Sequence, residues 1–338
     1  DTYINKTSVT VNVIYSIVPI SEDGCEGDSF TVTVAINPEP VVDPQTLTVC
    51  SDEAIDVSLN PSSSVAVANY TLINTNANGL TEVDPTASAT ITNDILSAGG
   101  YSNNSNDPVD VVYTIVPVSS DGVDGEEFTV TITVNPKPIV AAQEIEVCSG
   151  EELGIDFNAS STIAVASYEI TNILIDGSTN ITGINTITGF SVGSGTPRQG
   201  VGLSADEISD DSFINTTGAS VEVVYTVVPY DAIGCNGDSF TVTVTVNPQP
   251  DVADQIATPV SSRAALGVTT LGSDTNGLVF SKYRIVDINN NGLTAGSNNK
   301  VVTDVISENG ILNDTYINKT SVTVNVIYSI VPISEDGC

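Results

Sequence analysis

Histidine, methionine and tryptophan are missing altogether from this 338-residue chain, and lysine plus arginine number only 8 against 42 acidic residues. Each shortage excludes something. Without histidine there is no Ser-His or Cys-His pair to activate a nucleophile, and no histidine metal cluster. A net charge of −34 with so few cations cannot neutralise a phosphate backbone, so nucleic acid is excluded as a partner and anionic lipid is disfavoured. No apolar run reaches the roughly 20 residues of a membrane-crossing helix, so no direct membrane insertion is expected in this segment. No glycine-rich phosphate loop lies between a strand and a helix. Acidic pairs such as Glu151–Glu152 read as solvated turn residues rather than as an acid and a base, and the chain reads as non-catalytic. With no methionine, Asp1 is not a translation start, so targeting and anchoring signals are expected outside this stretch.

What is present favours strands and turns: Thr, Val, Ser, Asn and Gly abound, and 40% of residues are hydrophobic. The acidic balance raises the question of disorder, but the apolar residues alternate in orderly runs that can bury a core.

Repetition organises the chain. The 25 residues "DTYINKTSVTVNVIYSIVPISEDGC" stand at Asp1 and again, unchanged, at the end with Cys338, 313 positions on. Inside that period a second pattern recurs with variation: "VNVIYSIVPISEDGCEGDSFTVTVAINPEP", "VDVVYTIVPVSSDGVDGEEFTVTITVNPKP" and "VEVVYTVVPYDAIGCNGDSFTVTVTVNPQP". Its anchoring tyrosines are Tyr15, Tyr113, Tyr225 and Tyr328, spaced 98, 112 and 103 residues apart. The chain is therefore expected to be a window on a longer array, with further copies of the same repeat in the same chain as its first partners. Residues 1–40 are the late part of one module, 41–138 a first full module, 139–250 a second, and 251–338 a third that lacks its final strand and would be completed by the next repeat.

Each module reads as all-β. In "SVEVVYTVVP", Val221, Val223, Tyr225 and Val227 share one face, and in "SFTVTVTVNP" Phe240, Val242, Val244 and Val246 do so, with threonines opposite. The Gly/Asp-rich turn between these runs predicts an antiparallel hairpin. About seven short strands per module fit an immunoglobulin-like β-sandwich. Prolines at the "NPEP", "NPKP" and "NPQP" junctions stiffen short links, so tandem sandwiches forming an elongated rod are expected.

The pattern "YTIVP…GC.GD.FTVTVTVNP.P…VCSG" resembles the PKD-like and Ig-like repeats of giant surface proteins in Bacteroidetes, gliding-motility adhesins of the SprB type among them. That resemblance implies a type IX-secreted, cell-surface or extracellular adhesin region. An extracellular surface or a polysaccharide would be its ligand, and lateral self-association is a further expectation. A self-assembling extracellular filament is one alternative; a carbohydrate-binding accessory array of a secreted hydrolase is another, against which the lack of tryptophan counts. The third module departs from the pattern, with "PVSS" where the others have "VCSD" or "VCSG", and it carries Arg263, Lys282, Arg284 and Lys300.

No cofactor is expected, with calcium as the one candidate. Asp287, Asn289 and Asn291 before Gly292 look like the front half of a calcium loop, and Asn74, Asn76 and Asn78 before Gly79, with Glu82 and Asp84, stand at the same place in the first module. Asn-Gly between strands is also the strongest hairpin signal, and the turn is the preferred reading. The five cysteines occupy two kinds of place: after an early strand (Cys50, Cys148) and in the late hairpin turn (Cys25, Cys235, Cys338). Val123 and Val260 stand where the first and third modules lack one. A strand of ten residues, roughly 33 Å at ~3.3 Å each, separates Cys25 from the next module and argues against a bond from Cys25 to Cys50 across the junction, leaving both unpaired. A disulfide is therefore expected between Cys148 and Cys235, closing one module, with reduced thiols as the alternative.

Overall fold

The computed structural model describes every residue except 63, 64, 84–88, 93, 158–162, 177, 180–189, 196 and 276, and the side chains of 178 and 179. Among the described residues there are strands and turns and no helix. Two compact units form. The first holds residues 1–138 together with the turn Tyr230–Gly237; the second holds most of the remainder. Asp84 lies outside the described residues.

The first unit opens with a hairpin of β1 (Val11–Ile17) and β2 (Phe30–Ile36), antiparallel with Tyr15 opposite Val32. A full sandwich follows, whose main strands are β3 (Gln45–Cys50), β4 (Ile55–Ser58), β5 (Val67–Asn76), β6 (Ile95–Ala98), β7 (Val109–Ser119) and β8 (Phe128–Asn135). One sheet runs in the order β3-β8-β7-β5, and a second pairs β4 with β6. The late strands β7 and β8 are antiparallel, whereas β3 lies parallel to β8 with Cys50 beside Asn135. Alternation decides the packing. Phe128, Val130, Ile132 and Val134 point inward with Val111, Tyr113 and Ile115 and meet Ile55, Val57, Leu96 and Ala98 from the other sheet. Each such side chain contributes about 1.5–3 kcal/mol on burial, and the threonines between them meet water.

The second unit repeats this plan with β9 (Gln143–Cys148), β10 (Ser167–Ile175), β11 (Val221–Tyr230) and β12 (Phe240–Asn247). Its sheet order is β9-β12-β11-β10, again with the early strand parallel to the last and Cys148 beside Asn247. Tyr225, Val223, Val227, Val242 and Val244 are fully buried there with Phe157 and Phe213. A smaller third core gathers Tyr283, Ile285, Ile306 and Ile311 under β13 (Phe280–Asn289) and β14 (Ile327–Ser334). In it the stretch corresponding to β3 and β9 forms no strand, and residues 253–260 are exposed.

Candidate functional site at the disulfide staples

The late hairpin turn is the same small frame in every copy. In the second sandwich, Asp231 N–H donates to Cys235 O at 3.0 Å, Gly234 N–H returns to Asp231 O, and Cys235 N–H donates to Asp231 Oδ1 at 2.8 Å. Ser334 and Cys338 repeat that frame, as do Ser21 with Cys25 and Ser119 with Val123. The early-strand cysteine has a frame of its own. Cys50 N–H donates to Glu53 Oε2 at 3.0 Å and Cys148 N–H to Glu151 Oε2 at 3.2 Å, while the intervening Asp52 and Gly150 take positive φ of 68° and 80°. Ser51 and Ser149 then accept the backbone N–H of Asn103 and Asn215, each at 2.9 Å.

The two frames meet as disulfides, but not in the pairing expected. Cys50 is bonded to Cys235, with Cα atoms 5.4 Å apart, and Cys148 to Cys338, at 5.5 Å. Cys25 is free and exposed. Cys148 and Cys235 are thus each committed elsewhere, and the expected bridge within one module is not made. Strand polarity is the physical reason. Because β9 lies parallel to β12, Cys148 is delivered to the end of the last strand, beside Asn247. Cys235 precedes Phe240, where that same strand begins, so ~8 residues of strand, about 26 Å, separate the two places. The strand length used above to reject a bond across the junction equally forbids one within the module. A late-turn cysteine instead pairs with the early-strand cysteine of the module before its own.

Two of these places hold no cysteine. In the third module the early turn is made by Ser261 to Ala264: Ala264 N–H donates to Ser261 O, and Arg263, at φ 70°, donates to Tyr316 O as Asp52 does to Tyr101 O. Ser261, and not Val260, therefore occupies the cysteine place, because one additional residue follows Gln255. In the first module the late turn carries Val123 in the cysteine place, so neither that turn nor the third module's early turn offers a thiol.

Around the first staple lies a hollow of about 260 Å³ lined by Thr48, Val49, Cys50, Glu53, Asn135, Ile233 and Cys235. Glu53 is its one ionisable group, which provides no acid–base pair. Nearby, Lys137 of the "NPKP" junction donates to Asp52 at 2.5 Å and Ser102 donates to the same carboxylate. Burial opposes the Asp52 charge, but the hydrogen bonds from Lys137 and Ser102 outweigh it and hold its carboxyl below the ordinary 3.8.

A second constellation escaped the sequence reading. The anchoring tyrosine is held by groups 14 and 12 residues before it. Tyr225 donates to Asp211 at 2.9 Å; Tyr328 donates to Asp314 at 2.6 Å and meets Tyr316; Tyr15 donates to Asp1 and meets Tyr3; Tyr113 donates to Tyr101. Burial first, then the neighbouring carboxylate, pushes the Tyr225 hydroxyl far above its usual range. Ten residues before each tyrosine an asparagine bridges two loops: Asn5, Asn103 and Asn215 each give one amide N–H to the following turn and one to the last strand, at Ile36, Val134 and Val246 O. The legible signal was D-x-[YF]-x-N-x-[ST], visible as "DTYINKT" and "DSFINTT".

The Asn-Gly segments form turns. Asn291 and Gly292 take φ of 46° and 82°, and Asn289 Oδ1 accepts Asn291 N–H at 3.0 Å. Asn78 and Gly79 match them, with Asn76 Oδ1 accepting Asn78 N–H at 3.1 Å. Asp287 sits within β13, opposite Ser329. No cluster of three or more acidic or cysteine side chains placed to hold a metal occurs among the described residues.

Fold and site together define an all-β protein of immunoglobulin-like sandwich modules. The PKD-like domain family matches residues 1–40, 47–138 and 145–250, and the chain belongs to that family. No curated protein matches it. Among solved structures, the titin I-band fragment I67–I69 aligns at 9% identity over 70% of this chain and 75% of its own, with a TM-score of 0.26. Fibronectin(III)-like modules of Clostridium thermocellum CbhA align at 16% over 61% and 91%, with a TM-score of 0.23. A 2,6-sialyltransferase of Photobacterium sp. JT-ISH-224 aligns at 11% over 37% of this chain, with a TM-score of 0.22, and this chain spans 21% of it. At such scores nothing about activity, substrate or partner is taken from these proteins.

Proposed function

We propose that this chain is a non-catalytic, load-bearing stretch of a repeat protein displayed outside the cell, in the manner of a giant bacterial surface adhesin serving attachment or gliding. The observation that carries the reading is the staple rule: each disulfide joins the early strand of one sandwich to the late turn of the next. Such bonds add nothing to a binding pocket, but they keep a tandem array from coming apart at its links. Disulfides also persist in oxidising surroundings outside the cytosol, which supports an extracellular location. Short proline-bearing junctions suit an extended tether whose ligand is another surface or a polysaccharide. Antibodies raised against residues 139–250 should label intact, unpermeabilised cells of the producing organism, and brief protease treatment of those cells should remove the signal. Labelling seen only after permeabilisation would defeat the proposal.

A further inference from the structure

Five of the chain's eight lysines and arginines fall within residues 251–338, and two of them share one face of one strand. Along β13, Tyr283 and Ile285 are buried, so the alternating Lys282, Arg284 and Val286 face solvent. Lys6, Lys137 and Arg198 are held by Glu126, Asp52 and Glu207, whereas among the described residues Lys282 and Arg284 have no ion-pair partner. Arg284 lies between Val305 of the short strand Val305–Ile306 and Val331 of β14, which are 55% and 44% exposed. A cation thus stands at the centre of a row that crosses three strands, with an apolar side chain on either side.

This face is open in its own right. Tyr283 lies opposite Pro332 as Tyr70 lies opposite Pro117, so Lys282, Arg284 and Val286 hold the places of Asn69, Thr71 and Ile73 in the first sandwich. Those three are exposed as well, although the last strand β8 is in place there. A strand beside β14 lengthens the sheet at its edge and leaves the outer face of β13 uncovered. What differs is the chemistry. Tyr168 in the second sandwich donates to a carbonyl eleven residues back, as Tyr283 does, so Ser167, Glu169 and Thr171 stand in the same three places. Neutral or acidic in the full sandwiches, the site is basic in the third module.

We propose that this row binds an anionic polysaccharide whose sugars carry carboxylates, a polyuronate. The proposal rests on the extracellular reading above and names the ligand for it. Arg284 can give two parallel N–H bonds to one carboxylate, and Lys282 offers a second charge about 7 Å along the strand. Val305 and Val331 provide apolar contact for the C–H faces of the rings. The surrounding charge selects a polymer over a protein. Asp287, Glu308, Glu335 and Asp336 are exposed toward the ends of these same strands. An acidic protein needs roughly 800 Å² of matching surface and would meet those carboxylates. A chain one sugar wide, laid across the strands, stays on the row.

The test is calorimetry of the whole chain with polygalacturonate at about 20 mM salt and again at about 0.5 M. Binding is expected at low salt, and about tenfold weaker at high salt or with the fully methyl-esterified polymer. Lys282→Asn with Arg284→Thr installs the residues of the first sandwich, so the sheet should keep its circular dichroism spectrum while affinity falls about tenfold. Arg263→Asn with Lys319→Asn removes the same charge elsewhere in the module and should keep affinity within about twofold. A wild-type chain that ignores the polymer at low salt, a first double variant that binds like the wild type, equal losses in both double variants, or equal affinity for the methyl ester would each overturn the proposal. Labelling of intact cells reads location alone, so any of these results would remove the ligand and leave the extracellular reading standing.

Discussion

At the scale of single residues, the anchoring tyrosines are equivalent in sequence but not in what their hydroxyls hold. Tyr225 donates to the carboxylate of Asp211, which is itself 1% exposed; Tyr113 donates only to another hydroxyl, that of Tyr101. Removing the donor from a buried carboxylate costs more than removing it from a neutral oxygen. Tyr225→Phe should therefore destabilise the second sandwich by about 2–3 kcal/mol in urea unfolding, and Tyr113→Phe the first by about 1 kcal/mol or less. Equal losses would remove the charge-assisted bond from the account. Asp52 permits a pH test. Its folded-state value is lowered, so between that value and the unfolded one the unfolded chain binds more protons, and stability rises with pH. The contribution is complete above the unfolded value near 3.8 and is lost as pH falls through the folded one. Asp52→Asn should accordingly lower the melting temperature at pH 7, and the gap to the wild type should close as the pH drops below 3.8.

At the scale of elements, one turn frame serves two environments. Gly125 and Gly27 hold the same place in it, each donating to a proline carbonyl at 2.9 Å. A methyl group on Gly125 would come within 2.1 Å of Pro40 O, which is backbone at the junction and cannot yield cheaply. On Gly27 the nearest atom would be Pro19 Cγ at 3.2 Å. Gly125→Ala should cost about 1–3 kcal/mol and Gly27→Ala close to nothing, as read from denaturant midpoints. The Asn-Gly turns yield a further expectation. Asn289 Oδ1 is occupied within its own turn, so millimolar calcium should leave the melting temperature within about a degree. A larger shift that disappears in Asp287→Ala would restore the calcium loop.

At the scale of the whole molecule, the staples overlap: they span 185 and 190 residues, and Cys148 lies inside the loop closed by Cys50 and Cys235. A chain pulled from its ends should pass force across these bonds and hide most of its length. Full reduction should release roughly 200 further residues, about 70 nm at ~3.4 Å each, in single-molecule stretching. Because either bond alone already bypasses 185 or 190 residues, removing one pair (Cys50→Ser with Cys235→Ser) should recover only about a twentieth of that length. A single pair whose loss released most of it would show that the other bond does not carry load. What the sequence alone determined is the local architecture. Thr/Val alternation dictated strands with one buried face, Gly/Asp-rich turns dictated hairpins, and repetition of both dictated sandwich modules, because these depend on neighbours one or two residues away. It could not determine which cysteines meet. That depended on the early strand lying parallel to the last one, a choice made by packing between residues about ninety positions apart, and it sent Cys50 and Cys148 to the far end of their own modules. The tyrosine–aspartate and asparagine bonds were likewise decided by the tertiary structure, since D-x-[YF]-x-N names the residues but only the closed sandwich brings Asp211 to Tyr225 and Asn215 to Val246.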